Sequence, residues 1–287
     1  MKIEERCLSC IYDQSKRVCE LLHVNIEKAH AIDLLAKEMI EHFDMHQTPP
    51  YNAAPLYEAM ADVLGVEDLY QVFKKDSSQK AKAFIPLCLS HLEKAEDTFL
   101  IATKTAVAGN VIDLAAVMLY DLEEELEKIY HTPFAIDDVA TLKQRLASAQ
   151  TLVYLADNAG EEIFDKLYIE TIKKLYPDIV VYYFVRGRPI INDLTYQDAK
   201  DSGMDDVAIL VDSGVPTPGL VLELMHDEAR AIFDNAGCII AKGMGNYECL
   251  GETKGFPLFF LFKVKCSVVA NAVGATLGDI VCKASHA

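Results

Sequence analysis

TLVYLADNAGEEIFDKLYIETIKKLYPDIVVYYFVRGRPIINDLT, residues 151–195, decides the fold. TLVYLA (151–156) is an apolar, β-rich run of strand length, and IVVYYFV (179–185) is another. Between them, from about Glu161 to Leu175, apolar residues recur at helical spacing. Further along, a short helix near Tyr196 precedes VAILV (207–211), and a helix from about Leu220 to Phe233 precedes CIIAK (238–242). PLFFLFKV (257–264) reads as another strand. Strands separated by helices form a mostly parallel sheet covered by helices on both faces.

Upstream of Ala149 the pattern is different. Cys7–His23 reads as a helix with Leu8, Ile11, Val18, Leu21 and Leu22 inward, and Ile32–Phe43 as a second. Thr48-Pro49-Pro50 breaks the chain, and helices follow at Ala53–Leu64, Gln79–Lys94, Thr98–Val107 and Val111–Ile129. No strand pattern occurs here. The expected architecture is an N-terminal helical bundle (1–149) packed on a three-layer α/β/α domain (150–287), with a site between them at the strand ends.

Composition narrows the function classes. The 287 residues are 51% hydrophobic and 25% charged, an ordinary globular balance. The net charge of −17 disfavours nucleic acid, whose phosphates such a chain repels. MKIEERCLSC (1–10) has no apolar run behind its charges, so it is not read as a signal peptide. PLFFLFKV and CSVVANAVGATLGDIVC (266–282) are too short or too polar to span a bilayer. A cytoplasmic protein is expected, with its eight cysteines as thiols. Cys7 and Cys10 lie one helical turn apart. They have two readings: metal or redox chemistry with Cys266 or another thiol, or a structural role, since no second CxxC accompanies them.

In parallel sheets, ligands bind beyond the carboxyl ends of the strands. Every strand end here delivers polar residues beside a glycine or turn. Asp157-Asn158 ends the first strand; Arg186-Gly187-Arg188 and Asn192-Asp193 follow the second; Asp212-Ser213-Gly214 follows the third. Lys242 opens KGMGNYE (242–248), and Lys263 and Lys265 come last. Asp157, Asn158 and Asp193 offer two carboxylates and an amide oxygen, a set suited to Mg²⁺, Mn²⁺, Co²⁺ or Ni²⁺. This half lacks the His or Cys spacing of a catalytic zinc site. Alone, Asp157-Asn158 would read equally well as a helix cap; the other strand ends favour a site. Lys242 and its glycines read as an anion cradle or as a plain turn. Ser213 is a hydroxyl donor or part of a β-turn, and Arg186 and Arg188 are candidate cations.

LADNAGEEIFD (155–165), RGRPIINDLT (186–195), SGVPTPG (213–219) and KGMGNYE together resemble the metal-dependent damage-control phosphatases, formerly domain-of-unknown-function family eighty-nine. CxxC at Cys7 and Cys10, Thr48-Pro49-Pro50 and AGNVIDLA (108–115) extend the resemblance over nearly the whole chain and match the archaeal and bacterial subgroup. Glu67-Asp68-Leu69-Tyr70 departs from the family's Asp-Pro-Tyr and is read as lying away from the site. The resemblance implies a divalent metal on Asp157, Asn158 and Asp193, and hydrolysis of small phosphate esters such as sugar phosphates or damaged phosphometabolites. It implies that Lys242 holds the phosphate, and that Asn110 and Asp113 set the helical region against the metal. The catalytic set expected is Asp157, Asp193 and Lys242; Asn110, Arg186, Ser213 and Lys242 are the expected substrate contacts. Water is expected to attack directly, activated by the metal, with Asp157 or Asp193 orienting it. Two other classes stay open: a carboxylate methyltransferase, which needs an adenosine pocket, and a non-catalytic metal or metabolite binder.

Overall fold

The computed structural model of the protein describes residues 1–109 and 119–285. Asn110 and Asp113 lie outside the described residues. The chain opens with α1 (Glu5–Leu21), α2 (Ile26–Glu41) and α3 (Pro49–Leu64). Val18, Ile32, Leu56 and Met60 of these helices share a core of their own. α2 starts at Ile26 rather than Ile32 because Asn25 caps it, accepting the Lys28 N–H at 2.9 Å. Thr48-Pro49-Pro50 begins α3 instead of breaking the chain. Thr48 accepts the Tyr51 N–H at 3.3 Å, and prolines in a first helical turn forfeit no intrahelical bond. Gly65, at φ 74°, closes the helix in the left-handed conformation that glycine adopts without strain.

The single helix expected over Gln79–Lys94 is two, α4 (Gln71–Lys82) and α5 (Ile85–Lys94). Pro86 cannot continue a helix through its missing N–H but can open one. α6 (Thr98–Gly109) and α7 (Leu119–His131) follow, then β1 (Ile136–Asp137) and α8 (Val139–Ser148). β1 corrects the all-helical reading of this half; a strand of two residues leaves no periodicity to detect.

The rest alternates as expected: β2 (Thr151–Leu155), α9 (Glu162–Leu175), β3 (Val180–Val185), α10 (Tyr196–Asp201), β4 (Ile209–Asp212), α11 (Asp227–Asp234), β5 (Cys238–Lys242), α12 (Gly243–Leu250), β6 (Leu258–Lys263), α13 (Ser267–Val273) and β7 (Ile280–Ala284). The seven strands form one sheet in the order β1-β7-β6-β5-β2-β3-β4. Every pairing is parallel except β6 with β7. Side chains alternate across it. Leu152, Tyr154, Tyr183 and Ile240 face a core shared with α6, α8 and α9, while Val153, Leu155, Ile239 and Phe260 face the opposite core. The first of these cores joins residues on both sides of position 150. No helix among the described residues is long and apolar enough to cross a membrane.

The order fixes where a ligand belongs. From β2 the chain steps one way to β3 and β4; from β5 it steps the other way to β6. The crevice at the carboxyl ends of β2 and β5 is therefore the topological switch point. Asp157 lies just beyond β2, and Lys242 ends β5.

Candidate active site

The segment after β2 meets the loop after β3 edge to edge. Asn158 and Asp193 form an isolated antiparallel bridge, Leu194 N–H donates to the Asp157 carbonyl at 2.9 Å, and Ala159 N–H donates to the Asn192 carbonyl at 2.9 Å. Ile191 turns this loop with φ 44°, a left-handed conformation unusual for a β-branched residue. The result is that Asp157, Asn158 and Asp193 line one cavity of about 340 Å³. Tyr57, Tyr70, Gln14 and Arg17 from the helical layer, with Lys265 beyond β6, complete much of its wall.

Asp157 packs against the first residue of α12. A Cβ built on Gly243 would stand 1.8 Å from Asp157 Oδ2, so only glycine admits the carboxylate there. Gly243 also has φ +76°. The start of a helix favours a negative group. Even so, burial, reinforced by Glu161 and Asp193, pushes the Asp157 carboxyl well above the usual carboxylate range; Arg186 and Lys265 act against the rise. Burial raises Asp193 as well, outweighing Arg186, whose Nε donates to Asp193 Oδ2 at 2.7 Å.

Asn158 Nδ2 donates to Asp157 Oδ2 at 3.0 Å and to Glu161 Oε1 at 2.9 Å. With the amide hydrogens engaged, its Oδ1 is the atom suited to a ligand. Glu161 Oε2 accepts from Lys242 Nζ at 3.0 Å, and Lys242 also donates to Asp165 Oδ1 at 2.7 Å. Asp165 in turn accepts the hydroxyls of Tyr154 at 2.6 Å and Tyr183 at 2.9 Å. Burial opposes the Lys242 charge, but Asp165 and Glu161 outweigh it and raise its pKa above the ordinary lysine value. Asn246 on α12 ties the layers together. Its amide donates to the carbonyls of Ala156 and Lys242, and its oxygen accepts from Arg186 Nη2 and Leu220 N–H.

Of the expected site residues, the structure gathers Asp157, Asn158 and Asp193 on the cavity. Lys242 is 0% exposed and sits beneath it, between two carboxylates, rather than on its wall. Arg186 is also buried and grips Asp193. Ser213 is buried apart from the cavity, donating to the Val185 carbonyl at 2.6 Å, so it secures the end of β3. Tyr70, read as remote, lines the cavity, while Asp68 pairs with the buried Lys74 at 2.7 Å. The signal for Glu161 and Asp165, which are not among the expected site residues, is the four-residue spacing that sets the residue capping α9 and one in its first turn on the same side. Gln14, Arg17 and Leu21 share a face of α1 by the same rule. A larger groove of about 1050 Å³ runs past Lys74 and Arg186, without Asp157, Asn158 or Asp193 on its walls.

The donor set can be tested against a cation. Among the described residues, Asp157, Glu161, Asp165 and Asp193 are buried carboxyl groups, and Lys242 and Arg186 are buried cations paired with three of them. The oxygens of Asp157, Asn158 and Asp193 match the hardness of a divalent ion. Among the described residues no group of three or more His, Cys, Asp or Glu is arranged as a ligand set. An ion here would rest on two carboxylates, one amide oxygen and water, a pattern familiar for Mg²⁺-like ions.

Comparison with known proteins bears on the same chain length. Residues 3–281 match the damage-control phosphatase ARMT1-like domain. The chain is 32% identical over 284 residues to the damage-control phosphatase PH1575 of Pyrococcus horikoshii, covering 98% of each. It is 32% identical over 289 residues to a damage-control phosphatase of Archaeoglobus fulgidus, covering 99% of each. The crystal structure of the Pyrococcus horikoshii protein, described as a DUF89 family protein, superposes with a TM-score of 0.91 at 30% identity over the whole of both chains. With its sequence and its fold agreeing, the chain belongs to the ARMT1-like damage-control phosphatase family.

Proposed function

We propose that this protein is a divalent-metal-dependent phosphatase of small phosphate esters, sugar phosphates or damaged phosphometabolites. The observation that carries the reading is the meeting of Asp157, Asn158 and Asp193 in one cavity at the switch point. Relatives named as phosphatases over the full chain length support it. The cavity, about 340 Å³, is of a size for a small metabolite.

Asp157, Asn158 and Asp193 would hold Mn²⁺, Co²⁺, Ni²⁺ or Mg²⁺. When bound, such an ion supplies Lewis acidity toward a phosphoryl oxygen and toward the attacking water. Glu161 and Arg186 orient two of the three donors: Glu161 holds the Asn158 amide, and Arg186 holds one oxygen of Asp193. Lys242 acts one step further out, fixing Glu161, and its support of the phosphate is indirect. A carboxylate oxygen of Asp157 or Asp193 directed into the cavity would orient the water.

The test is phosphate release from a generic aryl phosphate and a panel of sugar phosphates. Chelator-stripped protein is assayed alone and after addition of each ion. Turnover that appears with metal and stops with chelator is expected. Turnover persisting after complete metal removal would contradict the mechanism.

A further inference from the structure

Most cations near the cavity are engaged. Lys242 is held by Glu161 and Asp165, and Arg186 by Asp193. On α1, Lys16 faces Asp13 at 3.8 Å and lies over the Tyr12 ring at 3.9 Å. Arg17, the next residue, lines the cavity and is exposed, and its guanidinium makes no hydrogen bond or ion pair among the described residues. Asp13, one turn earlier and within helical reach, is turned to Lys16 instead. Beside Arg17, Gln14 fixes this part of α1, accepting the Tyr57 hydroxyl at 2.9 Å. In a chain of net charge −17, a guanidinium at a cavity wall with no ion pair among the described residues is placed for an anion that arrives from outside.

Resting on the phosphatase reading of this cavity, we infer that Arg17 is its substrate-anion contact. The planar fork of Arg17 takes two phosphoryl oxygens at the cavity wall. Helix α1 is thereby a wall of the active site, and Arg17 is its phosphate-holding cation, with Lys242 in support beneath.

Arg17→Gln and Arg17→Lys are compared with the unaltered chain in two assays. One is hydrolysis of an aryl phosphate in saturating Mn²⁺; the other is calorimetric binding of inorganic phosphate to the Mn²⁺-loaded protein. Arg17 is exposed, so neither substitution disturbs the core. In Arg17→Gln, KM and the phosphate Kd are each expected to rise about tenfold or more, the scale of a lost charged hydrogen bond. The turnover number should change less, Mn²⁺ affinity should hold, and Arg17→Lys should fall between. An unchanged phosphate Kd in Arg17→Gln overturns the assignment, whether or not esters are turned over. If the unaltered chain hydrolyses no ester yet binds phosphate through Arg17, the anion contact stands and the phosphatase reading falls.

Discussion

Lys242 shows what a single position can conceal. Its sequence context, a lysine ahead of two glycines at a strand end, reads as a phosphate cradle. In the fold, Asp165 in the first turn of α9 and Glu161 just before that helix, 77 and 81 residues away, enclose it. Nothing local to KGMGNYE announces that contact. The meeting of Asp157, Asn158 and Asp193 on one cavity was legible because residue type and the strand-end rule point the same way. Lys242→Met should therefore behave first as a core substitution, leaving two buried carboxyl groups without their ammonium. A cost of about 3–5 kcal/mol is expected in urea unfolding, the scale of breaking a buried pair. A change below about 1 kcal/mol, as for surface charges, would show that the pair is not buried in solution.

At the scale of elements, long strands and strongly periodic helices were readable, and boundaries set by capping were not. Asn25 extends α2, Thr48 launches α3 through two prolines, and Pro86 divides α4 from α5. The first turn of α9 carries a consequence for pH. Glu162 is 1% exposed, accepts the Ser78 hydroxyl at 2.6 Å and receives the Gly160 N–H. Burial pushes its carboxyl up to about 7, beyond what these hydrogen bonds offset. An unfolded glutamate ionises near its ordinary value of about 4.3. Between that value and about 7 the folded chain holds a proton that the unfolded chain has lost. Stability from this group is thus present at low pH and lost as pH rises through that window, by roughly 4 kcal/mol. Denaturant unfolding at pH 5 and pH 8 should show the fall shrink in Glu162→Gln. An identical fall in that variant would assign the pH dependence to other groups.

For the molecule as a whole, the β-α alternation implied a covered, mostly parallel sheet, and the sheet is of that kind. Its edge was hidden. β7 is the tail of a segment that also contains α13, and β1 has two residues, so neither shows a strand pattern. Strand order depends on pairings between distant segments, and the switch point between β2 and β5 emerges only from that order. There, among the described residues, the carboxyl groups of Asp157, Glu161, Asp165 and Asp193 are buried with Lys242 and Arg186 in a chain already carrying −17. Calorimetric titration of chelator-stripped protein with Mn²⁺ tests the central claim most directly. One ion per chain should bind. Binding should be lost or weakened at least about tenfold in Asp157→Ala. It should be weakened independently in Gly243→Ala, whose new Cβ would stand 1.8 Å from Asp157 Oδ2 and displace the carboxylate. Unchanged stoichiometry and affinity in well-folded Asp157→Ala would contradict the assignment of the metal to this site.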